Sequence, residues 1–204
     1  MIIYPEKKII FHHVPKTAGK SIRKYFKEIL GNHISTGPQH EPLKYCYDKK
    51  YDDYQIFTVI RNPYERIVSL YEHRRKKFIT HDYPESNKAP QQAAFEMSFN
   101  EWIYNWVIPK SKSTTWHNDT SISNSILIDG KILNNLTIIR FENLHKELSY
   151  FFYNHNIQFD GFPHINKGKK RNHWSTYFNK DLKEVIYQWD KFVFDNFYPH
   201  LKGV

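Results

Sequence analysis

One order of hydrophobic and polar positions occurs twice along the chain. Lys8–Val14 (KIIFHHV) is a compact run of β-branched and aromatic residues, which predicts a short buried strand. Pro15–Gly19 interrupts it. Ile22, Tyr25, Phe26, Ile29 and Leu30 then recur at helical spacing, and Gly31 follows as a helix stop. Tyr54–Ile60 (YQIFTVI) is a second strand-like run. Pro63 stands where a first helical turn begins, and Ile67, Val68 and Tyr71 continue on one face. Two strand–turn–helix units predict an α/β fold with a central parallel sheet flanked by helices.

The remaining pattern is shorter in period. Residues 77–97 are polar, contain Pro84 and Pro90, and read as a mobile loop. Phe99–Val107 reads as a short aromatic helix. Ser121–Ile128 and Leu136–Phe141 read as strands, with Asp129-Gly130 as a turn. Leu144, Leu148, Phe151 and Phe152 mark another helix, and His164–Arg171 (HINKGKKR) a basic loop. Leu182, Val185, Ile186, Trp189, Phe192, Val193 and Phe197 mark a closing helix, with Asn179 as its N-cap. With 204 residues and no internal repeat, the chain is expected to form a single domain over residues 1–204.

Composition narrows the function. Hydrophobic residues make up 40% of the chain and aromatic residues 17%, enough for a packed core and too much for disorder. Thirty Lys and Arg against 21 Asp and Glu leave a net charge of +9, which favours an anionic partner. Cys46 is the single cysteine, so neither an internal disulfide nor a paired-cysteine zinc site is possible. No apolar run reaches the length of a membrane span, and charges interrupt the start before a secretory signal could form. A cytoplasmic protein with no integral membrane segment is expected. The seven glycines contain no G-x-G-x-x-G fingerprint.

Two motifs carry the chemistry. Val14-Pro15-Lys16-Thr17-Ala18-Gly19-Lys20-Ser21 follows a strand and opens a helix, where unpaired N–H groups and the helix dipole favour an anion. Gly19 permits close approach of a phosphate, Lys16 adds charge, and Thr17 and Ser21 add hydroxyls. The string matches G-x-x-x-x-G-K-[ST] except that Val14 replaces the first glycine. Arg61-Asn62-Pro63-Tyr64-Glu65-Arg66-Ile67-Val68-Ser69 begins at the carboxyl end of the second strand, the edge along which open α/β sheets bind ligands. Arg61 can grip a phosphate bidentately.

Together, HVPKTAGKSI and FTVIRNPYERIVSLY resemble the phosphate-binding pair of the PAPS-dependent sulfotransferases, which have a P-loop NTPase-like fold. They look most like the carbohydrate branch, the heparan sulfate 2-O-sulfotransferase-like enzymes. The likeness continues at Ile138–Leu144 (IIRFENL), Asn166–Arg171 and Tyr187–Tyr198. It implies a donor, 3′-phosphoadenosine 5′-phosphosulfate (PAPS), and no metal. It also implies that Lys16 touches the oxygen bridging phosphorus and sulfur. Thr17, Ala18, Gly19, Lys20, Ser21 and Ile22 would enclose the 5′-phosphate. Arg61 and Ser69 would hold the 3′-phosphate, and Lys167, Gly168 and Lys169 would cover the nucleotide. Lys20 stands where the family has Thr or Ser. The implied acceptor is a hydroxyl on a glycan or glycolipid.

Sulfuryl transfer requires a general base. His40, in Gly37-Pro38-Gln39-His40-Glu41-Pro42, is the choice for it, ahead of His12, His13 and His117. The histidines show no tight metal-ligand spacing. Arg74–Lys77 reads as a solvated helix end. Cys46 is read as chemically idle, and Trp102, Tyr104 and Trp106 as core. An alternative is a P-loop kinase using ATP and Mg²⁺, with Asp129 at the end of a strand. A nucleic-acid-binding module is disfavoured because the charge is dispersed along the chain.

Overall fold

The computed structural model describes residues 1–81, 85–110, 120–159 and 172–202. In chain order the elements are β1 (Ile2–Tyr4), β2 (Ile9–His12), α1 (Gly19–Leu30), β3 (Ile34–Ser35), α2 (Leu43–Cys46), β4 (Gln55–Ile60), α3 (Pro63–Thr80) and α4 (Glu85–Glu96). There follow α5 (Phe99–Trp102), a π turn (Ile103–Val107), α6 (Ile108–Lys110), α7 (Ile122–Ile126), β5 (Leu136–Arg140), α8 (Leu144–Asn154), α9 (Lys180–Trp189) and α10 (Lys191–Phe197). The chain divides into two compact units. One comprises Met1–Arg61 with Asn124–Lys170, the other Asn62–Ser123 with Arg171–Val204.

The first unit holds a five-stranded sheet of order β3-β1-β2-β4-β5. The three strands β2, β4 and β5 run parallel, as the repeated strand–turn–helix order predicts, with Phe11 opposite Phe57 and Phe57 opposite Thr137. Strand β1 is antiparallel to both of its neighbours, β2 and β3. On one face Phe11, Phe57, Val59 and Ile139 are buried with Ile22 and Phe26 of α1 and Leu148, Phe151 and Phe152 of α8. Phe11 stacks on Phe57 at 5.0 Å, and Phe26 meets Phe152 edge-on at 5.0 Å. Aromatic pairs of this kind contribute about 0.5–1.5 kcal/mol each beyond area burial. They fix α1 against the sheet, so its N-terminus opens beside the carboxyl end of β2. Asp129 and Gly130 have φ of 49° and 75° between the bridged residues Ile128 and Lys131, the signature of a type I′ turn. Asp129 therefore lies in a tight turn rather than at a strand end.

The second unit is built around α3. Asn62 caps it, its Oδ1 accepting from the N–H of Tyr64 at 3.0 Å. Tyr64 stacks on Trp174 and packs against Phe178 and Phe194. Several expectations are corrected here. Residues 77–97, read as a loop, are helical at the end of α3 and over Glu85–Glu96, with Pro90 inside the helix. Burial of Ala93 and Ala94 and the stacking of Phe95 on Phe78 at 4.7 Å hold the segment helical despite its polar composition. Ser121–Ile128, read as a strand, contains the helix α7. Asp190 lies 67 residues or more away in sequence; its carboxylate accepts the N–H groups of Ile122 and Ser123 and the Ser123 hydroxyl. The closing helix is broken at Asp190 into α9 and α10, while Asn179 caps α9 as expected, accepting from the Leu182 N–H at 2.8 Å. Arg74 is buried over the Trp102 ring rather than solvated, and Tyr104, expected in the core, is exposed.

Candidate active site

The turn between β2 and α1 is bent into an anion cradle. Lys16 and Ala18 both have left-handed backbone, with φ of 69° and 66°. Each such non-glycine residue costs roughly 1–2 kcal/mol, so the shape is imposed by its surroundings. Thr17 is buried, and its hydroxyl donates to the Val14 carbonyl at 2.7 Å, closing the turn. That hydroxyl proton is therefore engaged within the loop. Left-handed residues on either side of Thr17 curl successive N–H groups inward, the geometry of a nest. Ser21 and Ile22 both donate to the Ala18 carbonyl, at 2.9 and 3.1 Å. The N–H groups of Ala18, Gly19 and Lys20 have no acceptor among the described residues. Three adjacent unsatisfied donors with the dipole of a 12-residue helix behind them fit a phosphate-sized anion. The Lys16 side chain is half-buried in the loop; that of Lys20 is exposed.

Gly19 has a packing role that its motif does not reveal. A Cβ built there would lie 1.7 Å from His13 Nε2, so the imidazole fills the space a side chain would need. His13 is fixed on every side. It stacks on Phe11 at 5.6 Å, meets the His40 ring edge-on at 4.2 Å, and its Nδ1 lies 3.3 Å from the Gln39 amide nitrogen. An amide nitrogen donates, so His13 Nδ1 accepts and Nε2 carries the proton. Burial, reinforced by His40 and His12, pushes its pKa down to about 2, and the ring is neutral. His12 lies deeper. Burial lowers its pKa to about 4, and its Nε2 donates to the Glu41 carbonyl at 3.0 Å.

His40 is half-buried and has a left-handed backbone, φ 73°. Its Nδ1 lies 3.1 Å from the His13 carbonyl. A carbonyl only accepts, so Nδ1 carries the proton and Nε2 is the basic nitrogen, the tautomer a general base requires. His13, Arg23, Gln39, His40 and Glu41 line a cavity of about 70 Å³. The structure thus brings the phosphate loop, His40 and the candidate His13 together in the first unit, with Gln39 as a residue the sequence did not single out. The available signal was the position of His13 at the strand end, three residues before Lys16.

Arg61 follows β4 directly, and its guanidinium lies 4.4 Å over the Phe141 ring, at the end of β5. Cation–π contact of this kind holds the flat guanidinium in one orientation. Ser69 is half-buried on α3 in the second unit. Lys167, Gly168, Lys169 and His117 lie outside the described residues. No described helix is long and apolar enough to cross a membrane.

No curated protein and no solved structure matches this chain. A protein-family model described as "Sulfotransferase family" matches residues 1–193, spanning the sheet, the cradle and the histidine cluster. Sulfotransferases generally draw the sulfuryl group from PAPS and pass it to a hydroxyl acceptor, a task that calls for an anion cradle and a base of the kind found here. The chain belongs to the sulfotransferase family.

Proposed function

We propose that this sulfotransferase uses PAPS as its donor and sulfates a carbohydrate hydroxyl, with Lys16 and His40 as its catalytic residues. The observation that carries this reading is the cradle: unsatisfied N–H groups on Ala18, Gly19 and Lys20 beside a half-buried Lys16. The donor supplies an activated sulfuryl group. The residues around it have three tasks. Within the Thr17–Ile22 cradle the N–H groups of Ala18, Gly19 and Lys20 bind the 5′-phosphate, with Ser21 at its base. Lys16 offsets the charge that grows on the departing phosphate oxygen as the sulfur–oxygen bond breaks. His40 Nε2 takes the proton of the acceptor hydroxyl.

Arg61 and Ser69 are assigned the 3′-phosphate, and Lys167, Gly168 and Lys169 the cover of the nucleotide, on the resemblance of their motifs. The Phe141 plate supports the assignment of Arg61, because a pre-oriented fork grips a phosphate bidentately. The likeness of HVPKTAGKSI to the carbohydrate branch supports a glycan or glycolipid acceptor.

The test is transfer of labelled sulfate from PAPS to a panel of glycans and glycolipids. Wild type is expected to label a saccharide, and His40→Ala to lose about 10²–10⁴-fold in turnover while binding 3′-phosphoadenosine 5′-phosphate normally. Labelling of a protein or phenol instead would overturn the acceptor. Full activity of His40→Ala would overturn the base.

A further inference from the structure

Two opposite charges line the His40 cavity without pairing. Glu41 and Arg23 are both half-buried in its wall. Glu41 feels the charge of the Met1 amine. Its carboxylate nevertheless forms no hydrogen bond or ion pair among the described residues, and neither does the Arg23 guanidinium. Glu41 is held through its backbone. Its carbonyl accepts from His12 Nε2 at 3.0 Å, and its N–H donates to the Pro38 carbonyl at 3.3 Å. Gly37 leaves room for the carboxylate: a Cβ there would collide with Glu41 Oε2, and the left-handed backbone of Gly37, φ 65°, favours glycine as well. Arg23 is carried by α1.

A carboxylate only accepts hydrogen bonds, and a guanidinium only donates them. A hydroxyl does both. One hydroxyl can therefore donate to Glu41 while accepting from Arg23, and each bond polarises the other. The size of the cavity adds a second constraint. A volume of about 70 Å³ holds a few groups the size of a water, which occupies about 30 Å³ in the liquid. A sugar ring does not fit there, whereas two adjacent hydroxyls on its edge do.

From this geometry we infer that Glu41 and Arg23 are specificity-determining residues that grip a second hydroxyl of the acceptor, on the carbon next to the one that reacts. The acceptor group is then a vicinal diol. One hydroxyl gives its proton to His40, and the other bridges Glu41 and Arg23. This rests on the sulfuryl-transfer reading, which makes His40 the base. An ammonium in place of the second hydroxyl would satisfy Glu41 alone, and a carboxylate would satisfy Arg23 alone. A simple alcohol would leave both charges without a partner, which costs affinity in a half-buried site.

The test is transfer of labelled sulfate from PAPS to trans-cyclohexane-1,2-diol and to cyclohexanol, which differ only in the second hydroxyl. Wild type is expected to favour the diol in kcat/KM by about tenfold to a hundredfold, the difference a hydrogen bond to a charged group makes. Glu41→Ala and Arg23→Met should each reduce that preference about tenfold. Glu41→Gln keeps an acceptor without the charge and should fall between. All three should bind 3′-phosphoadenosine 5′-phosphate as wild type does, which shows that they are folded. A residue that merely held the loop of His40 would slow both alcohols alike, so equal losses would overturn the inference. Transfer to glycans with the two alcohols treated equally, or with neither labelled, would sink the diol site alone. No transfer from PAPS to any alcohol or glycan would sink the sulfuryl-transfer reading itself, and the inference with it.

Discussion

Gly19→Ala sets two effects of opposite sign against each other. In a helix, alanine is favoured over glycine by roughly 0.5–1 kcal/mol, and Gly19 is the first residue of α1. On propensity alone the variant would be more stable. The new methyl, however, would lie 1.7 Å from His13 Nε2 and 2.0 and 2.3 Å from the ring carbons Cδ2 and Cε1. Three ring atoms are in the way, and the ring cannot swing aside without leaving Phe11, Gln39 and His40. Overpacking of a buried site costs about 1–3 kcal/mol, so the net change is destabilising. At about 2–4 °C per kcal/mol for a chain of this size, the melting temperature should fall by several degrees. His40 loses its edge contact as well, so turnover should fall further than stability requires. Differential scanning fluorimetry and a transfer assay measure both. Adding His13→Ala should restore most of the melting temperature, because it vacates the space, while turnover stays low. A Gly19→Ala protein that melts higher than wild type would refute the packing of His13 against the loop.

Four further outcomes are expected. Arg61→Lys should bind 3′-phosphoadenosine 5′-phosphate about tenfold to a hundredfold more weakly in calorimetry, since a fork held over Phe141 is not replaced by an ammonium; little change would remove Arg61 from the phosphate site. Lys16→Ala should lose far more in turnover than in affinity for that nucleotide, and near-normal turnover would contradict its role. The protein should lose stability as the pH falls from about 7 to about 5. His12 and His13 are held neutral in the fold with pKa lowered to about 4 and about 2, so the unfolded chain takes up protons first, at about 2 kcal/mol per imidazole by pH 5. His12→Asn or His13→Asn should flatten that slope in urea titrations, and an unaltered slope would place the titrating groups elsewhere. Asp190→Ala should lower the melting temperature strongly, because it leaves Arg66 buried without its counter-charge and α7 without its cap; a surface-like loss of under about 0.5 kcal/mol would contradict that network.

What was legible in the sequence was local. Lys8–Val14 and Tyr54–Ile60 read as strands because buried parallel strands are short, unbroken apolar runs. The start of α3 and of α9 read correctly because Asn62-Pro63 and Asn179 are caps, and a cap needs only its own turn. What failed depended on distant partners. Ile122 and Ile126 suit either period, and the carboxylate of Asp190 decides for helix. Residues 77–97 look like a loop until Phe78 meets Phe95. Ile2–Tyr4 does not stand out as a strand, because its polar surroundings say nothing of its pairing with β2. At the site, the cradle and the Gly-Pro loop of His40 were readable as motifs. His13 was readable only as one candidate base among several; its packing role was not, because its stacking on Phe11 and its contact with Gly19 exist only once β2 and α1 are packed.

The most direct measurement of the central claim is calorimetric titration of the wild-type protein with 3′-phosphoadenosine 5′-phosphate, adenosine 5′-phosphate and ATP with Mg²⁺. The cradle and Arg61 together predict that the 3′-phosphorylated nucleotide binds at least about tenfold tighter than adenosine 5′-phosphate, the difference one additional charge-assisted hydrogen bond makes, and tighter than ATP with Mg²⁺. Equal affinity for the first two, or a preference for ATP with Mg²⁺, would contradict the assignment of the loop and of Arg61 to a sulfuryl donor.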